Sequence, residues 1–116
     1  MTAQNLKNDL ALFTGTEQYF KHWLGFNYTD GVKYLSGKAE CYWLLDAIGS
    51  YQYKFKRVPF QVWILKINAD KTAVLEMKED TNQPLLVRQE IPYTDFPLTE
   101  IKLYLIDGVL ILPSEY

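Results

Sequence analysis

The spacing of apolar residues changes once along this chain, and that change limits what the chain can build. Up to Ile48 the apolar residues recur at helical intervals. Ala3, Leu6, Leu10 and Phe13 form one such set, and Cys41, Leu44, Leu45 and Ile48 form an i, i+3, i+4, i+7 stripe. From Phe60 onward the interval is two, or the run is continuous, as in FQVWILKI. The first spacing lines up side chains on one face of a helix, and the second on one face of a strand. Helices first and strands after imply an α+β fold. The expected architecture is a set of N-terminal helices packed on a four- to five-stranded antiparallel sheet, a meander.

The expected elements follow from local signals. A first helix covers residues 3–13, with Gly15 as its stop. Thr16 to Trp23 fits either a short strand or an irregular aromatic segment. Thr29 or Asp30 can cap a second helix that runs from Val32 to Ile48, with a break at Gly37 and an end at Gly49. Phe60 to Ile67 and Thr72 to Lys78 read as a hairpin around NADK, and Leu85 to Ile91 as a further strand. Asp107-Gly108 between apolar runs is the sharpest turn cue, because both central positions of such a turn need φ > 0.

Size and charge narrow the function classes. The 116 residues suit a single domain spanning 1–116, large enough to bury a core without disulfides or metal. A single cysteine, Cys41, allows no internal disulfide. The formal net charge of −2 is too small for a strong field toward nucleic acid or an anionic membrane. The halves differ: residues 1–60 carry 7 Lys and Arg against 5 Asp and Glu, and residues 61–116 carry 5 against 9. Any anionic partner would therefore be expected at the first half. No basic-then-apolar leader and no apolar run of about 18–20 residues is present, so a cytoplasmic protein with no membrane association is expected. No phosphate-loop, dinucleotide or nucleophile-elbow motif occurs, and one histidine with one cysteine does not make a zinc set. No cofactor is expected.

The only histidine, His22, sits among Tyr19, Phe20, Trp23, Phe26 and Tyr28. As a catalytic group it would be a general base, paired with Cys41 as nucleophile or with Asp30 or Glu17 as orienting carboxylate. That is the hydrolase or transferase reading. The structural reading makes it an imidazole packed against rings, in an aromatic core that joins helices to sheet, and this is the expectation here. Cys41, on an apolar stripe, is expected to behave as a small hydrophobe. Asp46 lies off that stripe, near Tyr42 and Trp43. It either accepts a hydrogen bond from a tyrosine hydroxyl or an indole N–H, or is simply exposed.

The segment SYQYKFKRVPF is read as an extended strand, with Tyr51, Tyr53, Phe55 and Arg57 on one face and Gln52, Lys54 and Lys56 on the other. Rings beside cations can stack bases and meet phosphates, so Tyr51, Tyr53, Lys54, Lys56 and Arg57 form a candidate single-strand nucleic-acid surface. The same alternation also describes a half-buried edge strand, with rings inward and lysines in water. The edge strand is the expected reading.

Three stretches carry a resemblance: Phe13 to Glu17 (FTGTE), Thr29 to Leu35 (TDGVKYL) and Tyr42 to Ile48 (YWLLDAI). Together they resemble an uncharacterised family of small bacterial, plasmid and phage proteins. The resemblance implies no activity and carries over no catalytic residue. It favours a non-enzymatic protein-interaction module, since small cofactor-free proteins of mobile elements often act by binding another macromolecule. Rings are over-represented at interfaces, which makes Tyr19, His22, Trp23, Tyr28 and Tyr34 the candidate interaction surface, for another protein or for a second copy of the chain.

Overall fold

The computed structural model describes residues 2–16, 18–80 and 82–116. It contains helices α1 (Ala3–Ala11), α2 (Asp30–Lys38), α3 (Tyr42–Ser50) and α4 (Gln52–Phe55). The strands are β1 (Tyr19–Lys21), β2 (Asn27–Thr29), β3 (Phe60–Ile67), β4 (Ala73–Lys78), β5 (Val87–Ile91), β6 (Glu100–Ile106) and β7 (Val109–Ile111). A 3-10 turn follows at Pro113–Glu115.

The α+β class holds, but the sheet is larger than a four- to five-stranded antiparallel meander. It has seven strands in the order β1-β2-β7-β6-β3-β4-β5, and β2 runs parallel to β7. The added strands come from the N-terminal aromatic segment. Tyr19 to Lys21 and Asn27 to Thr29 form a short ribbon, and the ribbon inserts beside β7 with Asn27 opposite Val109. Strands of three residues show too little alternation to stand out in a sequence.

The second helix is two helices. The break falls at Ala39–Cys41, because Glu40 adopts φ 52° and the Cys41 N–H donates to the Ser36 carbonyl at 2.9 Å. This is the six-to-one bond of a left-handed cap, a conformation usually left to glycine. Gly37 lies inside α2 instead. Gly49 likewise lies inside α3, where a Cβ would sit 2.8 Å from Leu24 Cδ1 and 2.9 Å from Phe26 Cε1. It allows close approach and does not end the helix. Thr29 caps α2, accepting the Val32 N–H at 3.2 Å. The first helix stops at Ala11, short of Gly15.

The segment 51–57 is not an extended strand. Gln52–Phe55 forms a helical turn, and its end is held by Gln61 of β3, whose buried amide donates to the Phe55 and Val58 carbonyls at 3.0 and 3.2 Å. Gln61 also exchanges hydrogen bonds with Gln52 and accepts the Trp63 indole N–H at 2.9 Å. A polar side chain inside an apolar strand thus serves the backbone of its neighbour.

The core lies between the helices and one sheet face. Leu6, Leu35, Leu44, Leu45 and Ile48 from the helices meet Trp63, Leu65, Leu75, Met77 and Leu103 from the strands. It is mainly aliphatic. The expected aromatic core is corrected in part: Phe26 and His22 are buried, while Tyr19, Trp23 and Tyr42 are exposed. The opposite sheet face has no helix on it. There Val62 and Ile64 are buried, and their cross-strand neighbours are Lys78, Tyr104, Glu76 and Lys102. The Asp107-Gly108 turn joins β6 to β7 with φ of 49° and 81°, as the sequence requires.

Candidate functional site

His22 is clamped on every side. Its Nδ1 accepts the Leu24 N–H at 3.0 Å, so the network assigns the proton to Nε2, which donates to Asp46 Oδ1 at 2.8 Å. The imidazole is only 6% exposed and stacks on Phe26, with centroids 4.5 Å apart and planes 16° apart. Trp23 also stacks on it, at 5.7 Å and 26°. The Trp23 indole N–H donates to the same Asp46 oxygen at 3.2 Å, yet Trp23 is 77% exposed. A buried ring and a carboxylate therefore hold a large aromatic side chain out in water.

Local sequence explains the placement. β1 leads into a tight bend in which the Gly25 N–H donates to the His22 carbonyl at 3.0 Å, with Gly25 at φ 99°. The His22 N–H then donates to the Phe26 carbonyl at 2.7 Å, closing the bend. Asp46 comes from the exposed side of α3, one turn after Tyr42. Asp46 itself is 53% exposed, so both expectations for it hold together: it is in water and it accepts from an indole. The carboxylate that pairs with His22 is thus Asp46. Asp30 instead accepts the Gly31 N–H at 3.0 Å, and Glu17 lies outside the described residues. Cys41 is fully buried on the apolar stripe, and burial pushes its thiol up to about 12. A thiol so placed is not a thiolate nucleophile at neutral pH.

The five candidate interface residues do not form one patch. Trp23 stands over Asp46. Tyr28 is on the helix-facing side of the ribbon, stacked on Phe20 at 5.7 Å, with the Lys33 ammonium 4.1 Å from the Phe20 ring centroid. Burial, and then Tyr42, raise the Tyr28 hydroxyl above its ordinary range. Trp23 and Asp46, with Tyr42 one turn before Asp46, form one group, and Tyr28, Phe20 and Lys33 form a second across the ribbon and α2. Tyr19 points the other way, sharing a face with Asn27 and Val109. Tyr34 lies on the α1–α2 seam, tilted against Phe13 at 5.4 Å and donating to Asp9 at 2.7 Å. That hydrogen bond raises the Tyr34 hydroxyl.

In segment 51–57, Tyr51 is turned inward. It lies 5.8 Å from the Trp63 ring and donates to Gln89 at 2.8 Å. Tyr53 is 83% exposed, and Lys54, Lys56 and Arg57 are exposed with no ion pair among the described residues. Lys56 and Arg57 border a small cleft of about 180 Å³ with Gly25, Gln52 and Gly108. A second cleft, about 490 Å³, lies between the α2–α3 break and the loop after β5, lined by Trp43, Tyr93, Phe96, Lys38 and Asp95. Among the described residues no group of three or more His, Cys, Asp or Glu could hold a metal ion, and no helix is long and apolar enough to cross a membrane.

The fold and the Trp23 site define a small α+β domain with a mixed sheet and a pinned surface tryptophan. Residues 4–116 match DUF6876, a family of unknown function, and the chain belongs to it. No curated protein and no solved structure matches the chain.

Proposed function

We propose that the protein is a non-enzymatic protein-interaction module, of bacterial mobile-element origin, working in the cytoplasm. The observation that supports this is Trp23: largely exposed, yet fixed by a stack on buried His22 and a hydrogen bond to Asp46. Tryptophan and tyrosine dominate binding hot spots, and an anchor already held in one rotamer loses little entropy on binding. Tyr42 is exposed one turn before Asp46 on the same side of α3.

The hydrolase reading has weaker support. Both imidazole nitrogens are engaged, so neither is left to take a proton from a substrate in this arrangement. The single-strand reading keeps three exposed cations that form no ion pair among the described residues, but in that segment only Tyr53 is largely exposed, since Tyr51 packs on Trp63.

Affinity capture from a native lysate with the wild type and Trp23→Ala tests the proposal. A partner retained by the wild type and lost by Trp23→Ala is expected. Identical capture by both, with Trp23→Ala folded by circular dichroism, would overturn it. Titration with a labelled single-stranded oligonucleotide at low salt is expected to be flat; tight, salt-sensitive binding lost in Lys56→Ala/Arg57→Ala would favour the nucleic-acid reading instead.

A further inference from the structure

We infer that His22 is a proton-sensitive catch: the neutral ring holds the 22–25 turn closed with Trp23 in place, and the charged ring opens it. The turn His22-Trp23-Leu24-Gly25 is closed by the Gly25 N–H on the His22 carbonyl at 3.0 Å. Neither Trp23 nor Leu24 has φ > 0, as in a type I turn. The central peptide joins the Trp23 carbonyl to the Leu24 N–H, and that N–H donates to His22 Nδ1 at 3.0 Å. Asn and Asp side chains hold turns in the same way, accepting the N–H two residues on. The Nδ1 of a histidine lies as many bonds from Cβ as their oxygen does, so His22 does the work of an asparagine here. Unlike an asparagine, it can take up a proton near neutral pH.

A neutral imidazole has one acceptor nitrogen, and an imidazolium has none. The acceptor of His22 is spent on Leu24, and its donor, Nε2–H, on Asp46 Oδ1 at 2.8 Å. A second proton can settle only on Nδ1, where it meets the Leu24 N–H. At 3.0 Å no water fits between two such donors, and the ring is only 6% exposed. The central peptide must then turn over. That brings the Trp23 carbonyl round as an acceptor for Nδ1–H and sends the Leu24 N–H out beside the exposed Trp23 and Gly25, where water takes it. The turned form puts Leu24 at φ > 0, which a bulky side chain disfavours, so it lasts only while the ring is charged. The peptide unit is planar, so Trp23 moves with it and leaves both its stack on His22 and its hydrogen bond to Asp46. The other ionisable groups around the ring offer no second acceptor. Tyr42 lies one turn before Asp46 on α3, Lys21 precedes His22 on β1, and Lys56, Arg57 and Asp107 border the small cleft beside Gly25 and Phe26. Apart from Asp46, none of them forms an ion pair or hydrogen bond with His22 among the described residues.

Control of partner binding by this catch rests on the Trp23 reading, but the catch itself is tested on the chain alone. NMR follows the His22 ring, the Leu24 amide and the tryptophan indoles between about pH 8 and about pH 5, with circular dichroism reporting the fold. The His22 ring, Leu24 amide and Trp23 indole signals are expected to shift with one midpoint. The Trp63 indole, bonded to Gln61 in the core at 2.9 Å, is expected to stay fixed. A ring that titrates while the Leu24 and Trp23 signals stand still would overturn the inference. So would a ring that takes up no proton over this range. His22→Asn keeps an acceptor at the same reach and has nothing to titrate, so its Leu24 amide and Trp23 indole are expected to be flat with pH. A folded His22→Asn whose signals move as in the wild type would also overturn it. A working catch with no Trp23-dependent partner, or such a partner with no catch, tells the failure of one reading from the failure of the other.

Discussion

The same substitution should have opposite signs in two neighbouring helices. Gly49 is buried within α3, and a Cβ there would lie 2.8 Å from Leu24 Cδ1, 2.9 Å from Phe26 Cε1 and 3.0 Å from Leu24 Cβ. Gly37 is exposed near the end of α2, and a Cβ there would meet nothing within 4 Å. Helix propensity alone favours alanine at both, by up to about 1 kcal/mol. At Gly49 the extra methyl must also displace an aromatic ring that stacks on His22, and overpacking of this kind costs about 1–3 kcal/mol. The net expectation is a loss on the order of 1 kcal/mol for Gly49→Ala and a gain of about 0.5 kcal/mol for Gly37→Ala, smaller than the full propensity because the position is near a helix end. For a domain of this size 1 kcal/mol is about 4 °C in Tm, well within reach of thermal melts followed by circular dichroism. Because Phe26 supports the His22–Trp23 stack, Gly49→Ala should also shift the Trp23 emission. A Gly49→Ala protein that melts at or above the wild type would refute the close-packing account of α3.

Three further outcomes follow from the polar network and the thiol. Asp46→Ala removes the acceptor shared by His22 Nε2–H and the Trp23 indole; stability should fall by about 1 kcal/mol, water reaching the half-exposed site, and tryptophan anisotropy should drop. Asp46→Asn keeps the oxygen and should behave nearly as wild type, so equal losses for both would sink the hydrogen-bond account. Gln61→Leu should cost about 2 kcal/mol in urea unfolding, since it orphans the Trp63 indole N–H and the Val58 carbonyl together, while the Phe55 carbonyl keeps the Val58 N–H; a loss under about 0.5 kcal/mol would show that the network is dispensable. Burial raises the Cys41 thiol from 9.0 to about 12, so the unfolded chain loses this proton first. Its contribution to stability is complete below about pH 9 and declines as pH rises toward 12, and Cys41→Ala should flatten that alkaline decline. Native protein at neutral pH should resist thiol reagents until it unfolds.

The β3–β4 hairpin, the Asp107-Gly108 turn and the Cys41 stripe were legible in the sequence because each is a local pattern repeated over several residues. What was not legible depends on partners distant in the chain. Nothing near Asn27 announces that it will lie beside Val109. Gln61 reads as a flaw in an apolar strand until the Phe55 and Val58 carbonyls at the end of the 51–57 coil are seen to accept from it. Glu40 takes a backbone conformation that sequence rules assign to glycine, which moved the helix break away from Gly37. Of the site, the pairing of His22 with Asp46 spans 24 residues and two elements. The outward i, i+4 pair Tyr42 and Asp46 on α3 was the one signal that could have suggested it.

The parallel contact between β2 and β7 also has a temporal meaning. Asn27 and Val109 are 109 − 27 = 82 positions apart, so during synthesis the early ribbon waits for its neighbour. At about 5–20 residues per second that delay is roughly 4–16 s on the ribosome. Through it the nascent segment holds Leu6, Leu10, Val32 and Leu35 without the strands that will cover them. A chaperone that recognises short apolar stretches has its opportunity in that interval, and slowed translation late in the message would lengthen it.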